Sequence, residues 1–168
     1  MADVRDLREA AARVVGQDGC LLDDRRWDEW LDLYTPDCMF WLPMWRDEES
    51  LNDDPAGTLA HVYYENRKGL EDRVTRVRSG KSPASRPLPR TAHLASYVDV
   101  EIAERQDSIK AKASWACHVL FTRARTQHVF FGRSEYTLVP ASGGWKIRAK
   151  KVVVHNDDIP GVLDFYCV

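Results

Sequence analysis

Residues 109–121, "IKAKASWACHVLF", decide the fold. Ile109, Ala111, Ala113, Trp115, Cys117, Val119 and Phe121 alternate with Lys110, Lys112, Ser114 and His118. Successive side chains of a strand point to opposite faces, so one apolar row beside one polar row predicts a half-buried strand. The same alternation bears on whether Cys117, His118 and the nearby His128 hold a metal. Neighbours on a strand do not converge on one ion, so a metal here requires His118, His128 and a third ligand from elsewhere. The other reading is a buried cysteine with two sheet histidines, and the alternation favours it.

The period of two extends on both sides. Leu94, Val98, Val100 and Ile102 form one row against His93, Tyr97, Asp99 and Glu101. In "HVFFGRSEYTLV" Phe130, Tyr136 and Leu138 oppose Arg133, Glu135 and Thr137, and Trp145, Ile147, Ala149 and Val153 share a face further on. The connections "ERQD", "TRART" and "PASGG" are short, which predicts an antiparallel meander from residue 91 onward. Gly132, interrupting a long strand, predicts that the sheet coils.

Upstream the period is helical. Val4, Leu7, Ala11, Val14 and Val15 predict an amphipathic helix ending near Gly16 to Gly19. Trp27, Trp30, Leu31 and Tyr34 predict a second helix, capped by Asp23 or Asp24 and stopped by "TPD" at 35–37. "CMFWLPMW" reads as a short strand broken at Pro43, and "RDEESLNDDPAG" as an exposed loop. After "TLAHVYY", the stretch "ENRKGLEDRVTRVRSG" predicts a third helix with Leu70, Val74 and Val77 on one face, an Asp72 to Arg76 pair on another, and Gly80 at its end. "GKSPASRPLPR" is an extended connection. Helices followed by a meander give an α+β class, with the N-terminal helices packed on a curved antiparallel sheet, in a single domain spanning residues 1–168.

Composition narrows the function. The chain carries 24 Lys and Arg against 26 Asp and Glu, which argues against a nucleic acid or an anionic membrane as partner. No apolar run approaches the roughly 20 residues of a membrane span, and "MADVRDLREAAARVV" lacks a signal peptide's apolar stretch, so a soluble, cytoplasmic protein is expected. Four cysteines, Cys20, Cys38, Cys117 and Cys167, lie far apart and predict reduced thiols. Six Trp and six Tyr supply more aromatic surface than one core needs, as interfaces do.

Phosphate loops, GxSxG and HExxH are absent. Asp37 is a candidate base: at the mouth of a cone lined by Tyr34, Phe40 and Trp41 its pKa would rise, as proton abstraction in an isomerase or dehydratase requires; the competing reading is a turn cap. His93 and His155 flank the sheet region and read as structural histidines.

The order of "YYENRKGLEDRVTRVRSG" after a Trp-rich helix, "RPLPRTAHLASYVDV" opening the meander, "WKIRAKKVVVHND" in its last strand and a final "DFYCV" resembles the small, or beta, subunit of Rieske non-haem iron aromatic-ring-hydroxylating dioxygenases, in the benzoate and anthranilate branch. The resemblance implies a cone-shaped, cystatin-like fold of the nuclear transport factor 2 type. It implies a non-catalytic role in an assembly of three large and three small subunits, in which the small subunits also associate as a trimer. The large (alpha) oxygenase subunit would hold the Rieske 2Fe–2S cluster and the mononuclear iron, and a separate reductase would bring electrons from NADH to the complex. This chain would hold no cofactor: a Rieske centre needs Cys-x-His and Cys-x-x-His pairs, and Cys117 and His118 are adjacent. Tyr63, Tyr64, Arg67, Arg73 and Arg90, in or beside the Arg-rich segment, are the candidate partner contacts; Arg67, Arg73, Arg76 and Arg78 read equally well as a solvated helix face. The stand-alone isomerase or dehydratase using Asp37 stays as the alternative.

Overall fold

The structure is a computed structural model; it describes residues 3–57, 59–103 and 107–168, the side chains of Ala84 and Tyr97 excepted. The helices are α1 (Val4–Asp23), α2 (Trp27–Asp32) and α3 (Arg67–Arg78); the strands are β1 (Tyr34–Pro43), β2 (Ala60–Tyr64), β3 (Arg90–Ile102), β4 (Ile109–Phe121), β5 (Thr126–Ala141) and β6 (Gly144–Val154). They form one six-stranded sheet in the order β2-β1-β6-β5-β4-β3. From β3 to β6 the strands are the antiparallel meander that the alternation predicts. The sheet as a whole is mixed, because β1 lies parallel to β6. That pairing joins segments a hundred residues apart, and no local pattern announces it. Residues 104–106 of the "ERQD" turn lie outside the described part, but the Ala103 N–H donates to the Ser108 carbonyl at 3.1 Å across it.

Asp3 caps α1, and Leu7, Ala11, Val14, Val15, Asp18 and Leu22 make its buried face. Two expectations fail here. Val4 is 52% exposed, and the helix runs through Gly16 and Gly19 to Asp23 instead of ending at the glycines. Gly19 is present for space: a Cβ there would lie 2.8 Å from the Cβ of His93, so the helix meets β3 at a point that admits no side chain. Asp23 does not cap α2, because its carboxylate accepts hydrogen bonds from Thr91 and His93 of β3. Helix α2 stops at Asp32, two residues short of the expectation, and Tyr34 opens β1. Pro36 falls between Tyr34 and Met39, where the β1–β6 register shifts, so its missing N–H interrupts no paired position of that ladder.

Helix α3 buries Leu70, Val74 and Val77 as its period requires, and Gly80 follows it at a φ of 64°, the left-handed value that favours glycine. Asp72 pairs with Lys68 at 3.2 Å, not with Arg76, and Arg67 pairs with Glu71 at 2.9 Å. The hydrophobic core lies between the helices and one face of the sheet. Trp30, Tyr34, Phe40, Phe130 and Phe165 are among its largest fully buried side chains. Phe165 stacks on Trp30 with centroids 5.0 Å apart, which seals the core with the C-terminal 3-10 turn Phe165–Cys167. Among the described residues no helix is long and apolar enough to cross a membrane.

Candidate functional site

Strand alternation separates Cys117 from His118: Cys117 is buried and His118 faces outward. His128 packs its ring against Phe130 at 4.6 Å. Among the described residues no group of three His, Cys, Asp or Glu side chains is placed to hold a metal ion. Among the described residues the donors form no set of the kind that a Rieske cluster or a facial iron site uses.

Asp37 is not at the mouth of a cone. Its side chain is 64% exposed on the outer surface, with Arg148 Nε 3.5 Å away. The Thr35 hydroxyl beside it and the Arg148 charge hold its carboxyl below the ordinary range, opposite to what a proton-abstracting base needs. The expectation failed because Pro36 and Asp37 both face solvent where β1 leaves the ladder, while Tyr34, Cys38, Phe40 and Leu42 turn inward.

The five candidate contact residues divide. Tyr63 lies on β2 opposite Trp41, half-buried, and Arg90 is exposed at the start of β3. Tyr64 packs over Gly69, within 6.5 Å of Phe40, and burial raises its phenol pKa. Arg67 donates to Glu71 and to the Tyr34 carbonyl. Arg73 holds both oxygens of Asp164, whose side chain is only 4% exposed, and so clamps the C-terminal segment. Tyr64, Arg67 and Arg73 thus serve the chain's own packing, and Tyr63 and Arg90 are left at the surface.

The concentrated polar chemistry is inside, at residues the period-two reading did not select. Asp18 and Lys150 form an ion pair at 2.7 Å with side chains 3% and 2% exposed. Asp18 also accepts from Trp30 Nε1 at 2.8 Å, from the Tyr34 hydroxyl at 2.8 Å and from the Tyr136 hydroxyl at 3.0 Å. Burial by itself would raise the Asp18 carboxyl; the Lys150 charge and these hydrogen bonds outweigh it and hold the group below its ordinary value. Burial, reinforced by the Asp18 charge, pushes the Tyr34 and Tyr136 phenols far up. A second pair lies nearby, with His93 Nδ1 at 2.6 Å from Asp23 Oδ1. Burial raises Asp23, and the hydrogen bonds from His93 and Thr91 more than reverse it.

On the opposite face the sheet carries an apolar row. Leu94 lies opposite Ala116 and Ala116 opposite Phe131, with Leu94 55% and Phe131 46% exposed. The Phe131 ring meets His155 edge-on at 6.0 Å, and Trp45 lies 6.2 Å from the same imidazole. Patches of this kind mark contact surfaces.

Helices over one face of a curved mixed sheet, with a polar network in the cone, define an α+β protein of the nuclear transport factor 2-like class. Within that class, the family described as "Ring hydroxylating beta subunit" matches residues 17–161, and the chain belongs to it. It is 48% identical over 149 residues to the 2-halobenzoate 1,2-dioxygenase small subunit of Burkholderia cepacia, covering 88% of each chain. It is 39% identical to the anthranilate 1,2-dioxygenase small subunit of Acinetobacter baylyi, over 97% of this chain and 98% of that one. The crystal structure of the benzoate 1,2-dioxygenase beta subunit of Burkholderia mallei superimposes with a TM-score of 0.76 at 33% identity, covering 100% of this chain and 99% of the other.

Proposed function

We propose that the chain is the non-catalytic small subunit of a Rieske-type dioxygenase that dihydroxylates the ring of an aromatic carboxylate. It assembles in the cytoplasm with a large subunit, three of each, and its own copies meet about the three-fold axis. The 2Fe–2S cluster and the mononuclear iron sit in the large subunit, which a separate reductase supplies with electrons from NADH. The relatives named above are subunits of oxygenases acting on 2-halobenzoate and anthranilate, which supports the substrate class. The observation that carries an assembling role is the exposed row Leu94–Ala116–Phe131, apolar across three neighbouring strands. Tyr63 and Arg90 are the contacts kept from the sequence reading, since their side chains are not used up within the chain's packing.

The test is co-expression with the large subunit, followed by light scattering. The expected result is an equimolar complex that Phe131→Asp or Leu94→Asp prevents, although each isolated variant stays within about 0.5 kcal/mol of the parent, as surface substitutions do. A monomer that ignores the large subunit, or a Phe131→Asp variant that assembles like the parent, refutes the proposal.

A further inference from the structure

Between α1 and the first half of β3 the core stays open. A cavity of roughly 150 Å³ begins beside Gly16 and Cys20 on the helix and Ala95 on the strand, and reaches His93, Trp115 and Tyr136. Two of its lining residues each carry a buried polar atom with no hydrogen-bond partner among the described residues, His93 Nε2 and Trp115 Nε1. Their burial is nearly complete: the His93 side chain is 9% exposed and Trp115 is 8% exposed. Buried polar groups in folded proteins are almost always paired, so two orphans on one cavity need a common explanation.

The other polar groups of the wall are committed. Tyr136 and Lys150 both donate to Asp18, and Lys150 also donates to the Val168 carbonyl at 3.1 Å. His93 is oriented by Asp23 through Nδ1, and in the tautomer that carries its proton on Nδ1 the ring offers a lone pair at Nε2. The Trp115 indole only donates. One acceptor and one donor together suit a hydroxyl group, which gives one hydrogen bond and takes another. A carboxylate fits badly, since Lys150 is already neutralised by Asp18 and the remaining charged neighbour, Asp23, is itself an anion. A cavity of about 150 Å³ with apolar walls has room for a single benzene-sized ring.

We propose that this cavity is a binding site for a small neutral phenol, its ring against the apolar wall and its hydroxyl between His93 Nε2 and Trp115 Nε1. The site belongs to the isolated chain and does not depend on its being a dioxygenase subunit, so the two readings fail separately.

The experiment is calorimetry and saturation-transfer NMR on the full chain with phenol, benzene and benzoate. Phenol should bind saturably and benzoate should not compete with it. Trp115→Phe, which removes the donor and keeps an aromatic ring, should weaken phenol by about tenfold, or ~1.4 kcal/mol. Should Trp115→Phe fail to fold, Ala95→Trp at the exposed mouth decides the matter by blocking access while leaving the Asp23–His93 pair intact. Circular dichroism checks the fold of each variant. No saturable phenol binding, phenol binding that survives Ala95→Trp, benzoate matching phenol, or a crystal soaked in phenol that shows only water in the cavity would each overturn the proposal.

Discussion

Replacing Lys150 with Met tests the polar interior most directly. The Nζ lies 2.7 Å from Asp18, 5.4 Å from the centre of the Phe40 ring and 5.7 Å from that of Tyr136, and the side chain is 2% exposed. Methionine keeps most of the length and removes the charge. Asp18 is then a buried carboxylate with three neutral donors, Trp30, Tyr34 and Tyr136, and no cation. Breaking one side of a buried pair costs about 3–5 kcal/mol. Against a typical total of ~5–15 kcal/mol, Lys150→Met should be marginally stable at neutral pH.

The pH dependence supplies the sign. In the parent chain Asp18 titrates below its ordinary value, so its contribution is present above the unfolded pKa of about 3.9 and is lost as pH falls through the folded value. Without Lys150, burial dominates and the folded pKa rises above the unfolded one. The variant then loses stability as pH rises between the unfolded and folded values, with a slope of up to ~1.4 kcal/mol per pH unit. The gap between parent and variant should therefore narrow as pH falls from about 7 to 5. Urea denaturation followed by tryptophan fluorescence at several pH values measures it. The double variant Asp18→Asn, Lys150→Met should be more stable than Lys150→Met alone, because it removes the orphaned charge. A cost under about 1 kcal/mol at neutral pH, or a gap that does not change with pH, would refute the account of Asp18 as an ionised, Lys150-dependent group.

Other outcomes follow from single contacts. Arg73→Ala releases Asp164 and should cost about 3 kcal/mol, with limited proteolysis cutting earlier near the C-terminal segment; an unchanged digestion pattern counts against the clamp. Trp115→Ala should cost about 3–5 kcal/mol in a urea titration through the cavity it leaves. Burial pushes the thiols of Cys38 to about 11 and Cys167 to about 12, and Cys117 higher still, so only exposed Cys20 should react with a thiol reagent at mildly alkaline pH, all four cysteines reacting after denaturation. In assembled complexes, surface variants such as Arg90→Ala should leave the turnover ratio on two competing aromatic acids unchanged; a tenfold shift, ~1.4 kcal/mol, would mean that this subunit shapes the active site.

The fold was legible because most of the chain obeys one period at a time. Ile109, Ala111, Ala113, Trp115, Cys117 and Val119 face inward as their alternation demands, and so do Phe130, Tyr136 and Leu138. The family was legible in the order of whole segments. The polar interior was not, and the cause is the same in two places. Strand β3 has one extra residue between Ser96 and Asp99 relative to β4. Val100 faces the core, so strict alternation also sends Leu94 inward; the extra residue reverses the faces, exposing Leu94 and turning His93 to the cavity. Strand β6 has an extra residue at Arg148, between the partners of Thr137 and Leu138. Ile147 is inside, yet beyond Arg148 it is Lys150, Val152 and Val154 that face the core, while of the residues the simple pattern selects Ala149 is half-buried and Val153 is buried outside the core cluster.

A bulge adds one residue and has no compositional mark of its own; it is defined by the pairing with the neighbouring strand, which is a long-range fact. The helix misreading compounds this. Once α1 is ended at its glycines, Asp18 becomes a loop carboxylate with nothing to bury it, and Lys150 has no counter-charge to justify an inward position. Together they are consistent: Asp18 falls on the core face of α1 with Val14, Val15 and Leu22, and the β6 bulge brings Lys150 to meet it. Each half of the pair is improbable by itself under the rule that charges stay outside, and the rule fails only because both halves move inward at once. The β3 bulge then sets His93 beside the same interior, against Asp23 at the end of the same helix. The features that carry polar chemistry into this cone are thus the places where local periodicity is broken, and the unbroken stretches build the wall around it.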